Sequence, residues 1–394
     1  MKLAAISHLA SPDAPTGAEK SLCQLVGELS GRGHEAAVVA PGSWCLEAAV
    51  RESGVEVVKI PSRGCWLVQA ADQPLSKQAM RYSRFRLPDP GFRRMMVWLD
   101  DFWPDVVLVN CLPQLKGAAA ARALGLPVVW HIREILPPGR RRRWFARRLK
   151  RDATRVVAVS HAVAGWLTDE GLGDLVEVVH NGCQAPPPTA DVAELRAELG
   201  LSATGVVVGF FAQIVGHKGT VDLVRAGSIA MAERPDLQIV IAGDGPDSEK
   251  QRLQDEIARS SRPEGFVVLP PASEIWRLLS AVDMAAVPSL WPDPLPRTVM
   301  EAMAVGKPVV AYETGGVPEM VAESETGFMV SPGDVDGLAD RIERLAGDAE
   351  LRHRLGIAAA RRARSEFSID RHVETMERIL LSAATQHRHA ADEE

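Results

Sequence analysis

Thirteen short apolar runs, rich in Val, Ile, Leu and Ala, punctuate this chain and leave room for a helix between most of them. Seven fall in the first half, at residues 3–6, 36–39, 55–60, 106–109, 128–131, 156–159 and 176–179. Six fall in the second, at 206–211, 238–242, 266–269, 284–287, 309–312 and 328–330. β-Branched runs of this length belong to strands buried on both faces, and strands separated by helical segments pair in parallel. The pattern therefore predicts two α/β domains, each a Rossmann-like, doubly wound parallel sheet. The stretch CQAPPPTAD, residues 183–191, divides them: three successive prolines cannot continue a helix and stiffen the chain. The expected boundaries are 1–183 for the first domain, 192–365 for the second, and 366–386 for a C-terminal helix. The closing QHRHAADEE is expected to be a mobile tail.

A length of 394 residues with 46% hydrophobic and 24% charged content suits two soluble domains of ordinary size. No apolar stretch approaches the roughly 18 residues of a membrane span, and MKLAAISHLASP reads as a first strand rather than a signal peptide. A cytoplasmic protein is expected. Cys23, Cys45, Cys65, Cys111 and Cys183 lie far apart, with no C-x-x-C pair or neighbouring histidine at ligand spacing; they are expected to be reduced and structural, and no metal site is expected. The net charge of −6 is unevenly distributed. Residues 1–185 carry 24 Lys and Arg against 18 Asp and Glu, the remainder 21 against 33. If the first half meets a second substrate, an anionic one is favoured.

In open parallel sheets ligands bind beyond the carboxyl ends of the strands. The unusual residues of this sequence converge there: Gly17 and Ala18 after the first strand, His131 at the end of Val-Val-Trp, Gln213 and Lys218 after Phe210-Phe211, Gly243 after Ile241-Ala242, Asp293 after Val287, and Gly315 after Tyr312. The stretch 288–321, PSLWPDPLPRTVMEAMAVGKPVVAYETGGVPEMV, carries the most chemistry. It predicts a loop ending at Pro296 and a helix over 297–305 with Pro296 near its first position and Gly306 as its stop. A helix start offers N–H groups and a positive dipole end to an anion, with Leu295, Arg297 and Thr298 beside it. Glu301 lies about one turn inside, placed to accept from ribose hydroxyls, and Asp293 lies in the loop. The sequence AGDGPD, 242–247, is half of a dinucleotide fingerprint, but Ser248 holds the third glycine position, which disfavours a nicotinamide enzyme. Residues 140–151, RRRRWFARRLKR, put eight basic groups around Trp144, Phe145 and Leu149. An apolar strip flanked by arginines suits peripheral contact with an anionic membrane, and the alternative, which the charge favours, is a solvated basic helix steering an acidic acceptor. Overall acidity disfavours nucleic acid.

Together these elements resemble the signature of retaining glycosyltransferases of family 4 (glycosyl transferases group 1), which carry two acids separated by seven residues followed by EAMA, G-x-P-V-V and GG-x-x-E. Here they read Asp293 to Glu301, Glu301-Ala302-Met303-Ala304, Gly306-Lys307-Pro308-Val309-Val310 and Gly315-Gly316-Val317-Pro318-Glu319. The resemblance implies the GT-B fold, with two domains facing across a cleft and the C-terminal helix returning to the first. It implies a metal-independent, hexosyltransferase-type enzyme that uses a nucleotide-diphosphate sugar as donor substrate, needs no further cofactor, and keeps the anomeric configuration in transfer to a glycan, glycolipid or natural-product hydroxyl. In that scheme His131, Lys218, Asp293 and Glu301 are catalytic. Gly17, Ala18, Gln213, Lys218, Gly243, Leu295, Arg297, Thr298 and Glu301 bind the nucleotide sugar. Three positions depart from the family: Asp293 replaces Glu, Pro296 replaces Gly and has no N–H to give, and Gln213 replaces Arg. They keep two alternatives in view, a GT-B sugar-nucleotide epimerase or hydrolase, and a sugar-nucleotide binding protein with weakened catalysis. The acceptor loops, such as residues 62–95, carry no readable pattern.

Overall fold

The structure, a computed structural model, describes residues 1–12, 15–61, 90–184, 191–271 and 275–392. The chain forms two compact units, Met1–Gly182 with Ile369–Glu394, and Cys183–Ser368. All thirteen apolar runs are strands, each matching within two residues. In the first unit they are β1 (Lys2–Ile6), β2 (Glu35–Ala40), β3 (Glu56–Lys59), β4 (Val106–Asn110), β5 (Val128–Ile132), β6 (Arg155–Ala158) and β7 (Val176–Val178). They form one parallel sheet in the order β3-β2-β1-β4-β5-β6-β7. In the second unit they are β8 (Val206–Phe211), β9 (Leu237–Ala242), β10 (Phe266–Leu269), β11 (Met284–Val287), β12 (Val309–Tyr312) and β13 (Gly327–Val330). Their order is β10-β9-β8-β11-β12-β13, again all parallel.

Both sheets reverse direction of travel next to their first strand, between β1 and β4 in the first unit and between β8 and β11 in the second. At such a point the connections on either side leave toward opposite faces and open a crevice above the carboxyl ends of the strands. The central strands are apolar on both sides because helices cover both faces: Leu3, Ala4, Ala5 and Ile6 are fully buried in β1, as are Val207 and Val208 in β8.

The C-terminal helix spans Ile369–Asp392 and belongs to the first unit. Val373, Met376, Ile379, Leu380 and Ala383, spaced three and four apart, join that unit's core. The helix runs beyond the expected end at 386, so the segment expected as a mobile tail is helical through Asp392. Its apolar period continues to Ala384, and no proline or glycine follows to stop it.

The basic helix, Arg140–Asp152, corrects a second expectation. Phe145, Ala146 and Leu149 are 0–2% exposed and face the interior of the first unit, so they form core and not a membrane-facing strip. Arg142 is buried with them, its guanidinium on the carboxylates of Asp169 and Glu170, each at 2.9 Å. Trp144 is half-buried beneath the Arg148 guanidinium, 5.2 Å from the ring centroid. The outer face keeps Arg140, Arg143, Arg147, Lys150 and Arg151 exposed. Of the expected linker, residues 185–190 lie outside the described residues, as do 62–89 of the unassigned loops. No helix among the described residues is long and apolar enough to cross a membrane.

Candidate active site

In the second unit, four loops rise from the carboxyl ends of the adjacent strands β9, β8, β11 and β12. Main-chain hydrogen bonds tie them to one another. Ile214 N–H donates to Asp244 O at 2.8 Å, joining the β8 and β9 loops. Leu290 and Trp291 N–H both donate to His217 O, at 2.9 and 3.3 Å, joining β11 to β8, and Gly316 N–H donates to Asp293 O at 2.8 Å, joining β12 to β11.

Lys218 ends a short 3₁₀ turn, Gly216–Lys218, directly above the β8/β11 crevice. Its ammonium lies 2.5 Å from Asp293 Oδ2, with the two side chains 23% and 17% exposed. Sequence placed both residues at this rim; the structure adds that they pair. An ammonium has three donors, and Asp293 takes one.

The next residue explains how the approach is achieved. Gly219 adopts φ 74°, and a Cβ there would overlap the Pro288 carbonyl oxygen, so only glycine lets the β8 loop press against the β11 loop. Gly315, at φ 58°, plays the same part against the Asp293 main chain. Gly219→Ala is expected to lower the unfolding free energy by roughly 2–4 kcal/mol, from left-handed strain plus overpacking. Urea unfolding and calorimetry check this; an unchanged midpoint would mean that the close approach is not required.

The helix expected over 297–305 runs Arg297–Ala304, with Val305 as C-cap and Gly306 at φ 72° just beyond. Pro296 is its N-cap, with φ −66° and ψ 118°, next to the first helical position as expected. Arg297 and Thr298 thus occupy the first two helical positions, whose N–H groups have no intrahelical acceptor by construction. The Thr298 hydroxyl donates to Phe211 O at 2.8 Å and fastens the helix start to the end of β8. Glu301, 7% exposed, accepts from Arg297 Nε at 3.2 Å across one turn. A carboxylate accepts about four hydrogen bonds, so this pairing does not exhaust it. Leu295 is buried beneath the loop. Gln213 begins the β8 loop, and Gly243 packs so closely on Ala212 O that no side chain fits.

The first unit builds a different rim. Gly17 and Ala18 are the first two residues of the helix Gly17–Gly31, capped by Thr16. Glu19 closes a reciprocal capping box and accepts from Ser11 N–H and Oγ at 2.9 and 2.8 Å, and from Thr16 N–H and Oγ1, both at 2.8 Å. Burial acts to raise the Glu19 pKa, but the hydrogen bonds from Thr16 and Ser11 outweigh it and pull it below the usual value. This anchor escaped the sequence reading, although T-x-x-E before an apolar run was there to be read.

His131, fully buried, is the penultimate residue of β5 and lies beside Asn110 at the end of β4. Arg133 links the two: its Nε donates to Asn110 Oδ1 at 3.0 Å, its Nη1 to Asn181 Oδ1 at 2.5 Å, and its Nη2 meets His131 Nδ1 at 3.3 Å. The His372 ring, from the C-terminal helix, stacks at 6.0 Å. Burial, with help from Arg133 and His372, holds the His131 imidazole well below the ordinary histidine range and hence neutral. Glu134 accepts from the N–H groups of Leu112 and Arg133, at 3.1 and 3.0 Å, and burial pushes its carboxyl up to about 7. That grip steadies the turn after β4, where Cys111 holds φ 70°. Asn110 and Asn181 come from distant parts of the chain, and no sequence signal marks them.

Residues 15–185 match the family described as Glycosyltransferase Family 4, and residues 191–362 match Glycosyl transferases group 1. The chain belongs to these glycosyltransferases. Among solved structures of similar fold is HepE of Anabaena in complex with UDP-glucose, at 25% identity and a TM-score of 0.81, covering 97% of this chain and all of that one (100%). Among curated family members, the alpha-maltose-1-phosphate synthase of Mycolicibacterium smegmatis is 30% identical over 57% of this chain and 62% of its own length. A D-inositol 3-phosphate glycosyltransferase of Mycobacterium is 35% identical over 45% and 41% respectively. The matches thus span about half the length of these curated relatives. The two sheets are those of the GT-B fold.

Proposed function

We propose that the protein is a retaining, hexosyltransferase-type glycosyltransferase, moving a sugar from a nucleotide-diphosphate sugar to an acceptor hydroxyl. One observation carries the reading. Lys218 is brought by the β8 loop to Asp293 above the crevice of the second sheet, in the unit where Thr298 fastens the Arg297–Ala304 helix start to β8. In this scheme that ammonium and helix terminus stabilise the departing diphosphate, whose negative charge grows in the transition state. Glu301 grips the ribose, and Asp293 and His131 orient the sugar. The bond from the anomeric carbon to the phosphate oxygen breaks, the acceptor oxygen bonds to the same face, and its proton passes to the leaving phosphate.

The charge comes from the protein, so the reaction proceeds without a divalent cation or a further cofactor. HepE, the structural relative holding UDP-glucose, supports a nucleotide-sugar donor. Incubation with UDP-, GDP- and dTDP-sugars plus extract, with and without EDTA, tests the whole reading. Acceptor-dependent nucleotide release insensitive to EDTA is expected. Release without acceptor would point to a hydrolase or epimerase, and binding without release to a weakened binding protein.

The acceptor is anionic or lipid-linked, and the exposed arginines of the Arg140–Asp152 helix favour negative charge there. Charge reversal by Arg143→Glu with Arg147→Glu is expected to raise the acceptor KM severalfold and leave the donor KM unchanged. Kinetics at low salt decide this, and an unmoved acceptor KM would remove the helix from recognition.

A further inference from the structure

The buried histidine near the end of β5 is oriented by a neighbour whose chemistry leaves one choice. Arg133 Nη2 lies 3.3 Å from His131 Nδ1. A guanidinium carries only donors, so Nδ1 must be the nitrogen with the lone pair, and a neutral ring then carries its proton on Nε2. Arg133 has no freedom to turn away. Its Nε and Nη1 are committed to the side-chain oxygens of Asn110 and Asn181, at 3.0 and 2.5 Å, and all three residues are buried. Among the described residues, His131 Nε2 is buried without a hydrogen-bond partner.

A packing histidine normally has both ring nitrogens satisfied or one in water, since an orphaned buried donor keeps its full desolvation penalty. Here one nitrogen is fixed by a residue itself held by two asparagines, and the other is left over. A positive charge on the ring would also face the Arg133 guanidinium and the His372 ring stacked at 6.0 Å. His372 in turn places its Nδ1 2.7 Å from the His180 carbonyl oxygen.

We propose that Arg133 is a positioning residue that locks His131 in the Nε2–H tautomer, making the histidine a hydrogen-bond donor to a substrate oxygen and barring it from service as a general base. The role toward substrate rests on the glycosyl-transfer reading, whereas the tautomer does not. A donor suits a hydroxyl or phosphate oxygen of a bound sugar nucleotide or acceptor, and it leaves deprotonation of the acceptor to another group.

Nitrogen NMR on the full chain labelled with ¹⁵N-histidine, the His131 signals assigned by their loss in His131→Gln, tests the lock directly. At pH 7 a protonated, pyrrole-type Nε2 and a pyridine-type Nδ1 are expected. Arg133→Lys should keep that state, and Arg133→Met should yield a mixture of tautomers. A proton on Nδ1, or a doubly protonated ring, in the native chain would overturn the proposal without recourse to any variant. Turnover of whichever UDP-, GDP- or dTDP-sugar the native chain uses tests the second half. His131→Gln, whose amide can donate from the position of Nε2, should retain at least tenfold more activity than His131→Ala, and equal losses would overturn the donor role. A native Nε2–H ring in a chain with no turnover would support the lock and refute the transfer reading.

Discussion

Lys218→Ala is expected to lower turnover at least 100-fold, on the scale of about 3 kcal/mol for losing one preorganised charge at a transition state. The argument is one of position and of competition. The ammonium sits above the β8/β11 crevice, and its partner Asp293 is only 17% exposed. An unpaired carboxylate left there carries a desolvation cost of its own, so part of any loss in the single mutant belongs to Asp293 and not to catalysis. Lys218→Ala combined with Asp293→Asn separates the two. Because Asp293 is itself proposed to orient the sugar, the reference is Asp293→Asn alone: if Lys218 serves the leaving group, the double mutant is slower than that single mutant while its stability returns toward native. Recovery of turnover in the double mutant would reduce Lys218 to a structural counter-charge.

Glu301→Ala is expected to cost a similar factor, again at least about 100-fold in turnover. Two effects add. The substitution removes the proposed ribose acceptor, and it releases Arg297, whose guanidinium Glu301 holds at 3.2 Å beside the helix start. Glu301→Gln keeps an acceptor oxygen and loses the charge, and should fall between native and alanine. A rise in donor KM with kcat intact would show that the residue binds ground and transition states alike, and would remove it from the chemistry. Near-native kinetics would remove it from the site.

The strands were legible because parallel strands buried on both faces need unbroken apolar runs, and nothing else in this composition makes them; β8, Val206–Phe211, announces itself without any partner. The second-unit rim was legible for a related reason. Gly315 and Lys218 each meet a local backbone or charge demand that sequence expresses within a few residues. The first-unit rim was legible only in part: Gly17, Ala18 and His131 fall at the strand ends as expected, but the partners that hold His131 do not show in the sequence. Asn110, Arg133 and Asn181 meet only because β4, β5 and the segment after β7 end on the same side of one sheet, a long-range coincidence that no spacing records. The basic helix left two readings open in the sequence: its period revealed an apolar side but could not say whether Phe145 and Leu149 faced protein or lipid.

The second unit begins and ends at one place. Cys183 forms a parallel bridge with Ser368, and its N–H donates to Phe367 O at 2.8 Å. In chain order that unit is therefore a cassette spliced into another protein, with entrance and exit side by side, an arrangement known to favour independent folding and transplantation. Residues 183–368 expressed by themselves should fold, which would let the proposed nucleotide recognition be studied, or exchanged between relatives, with the remaining polypeptide left out altogether.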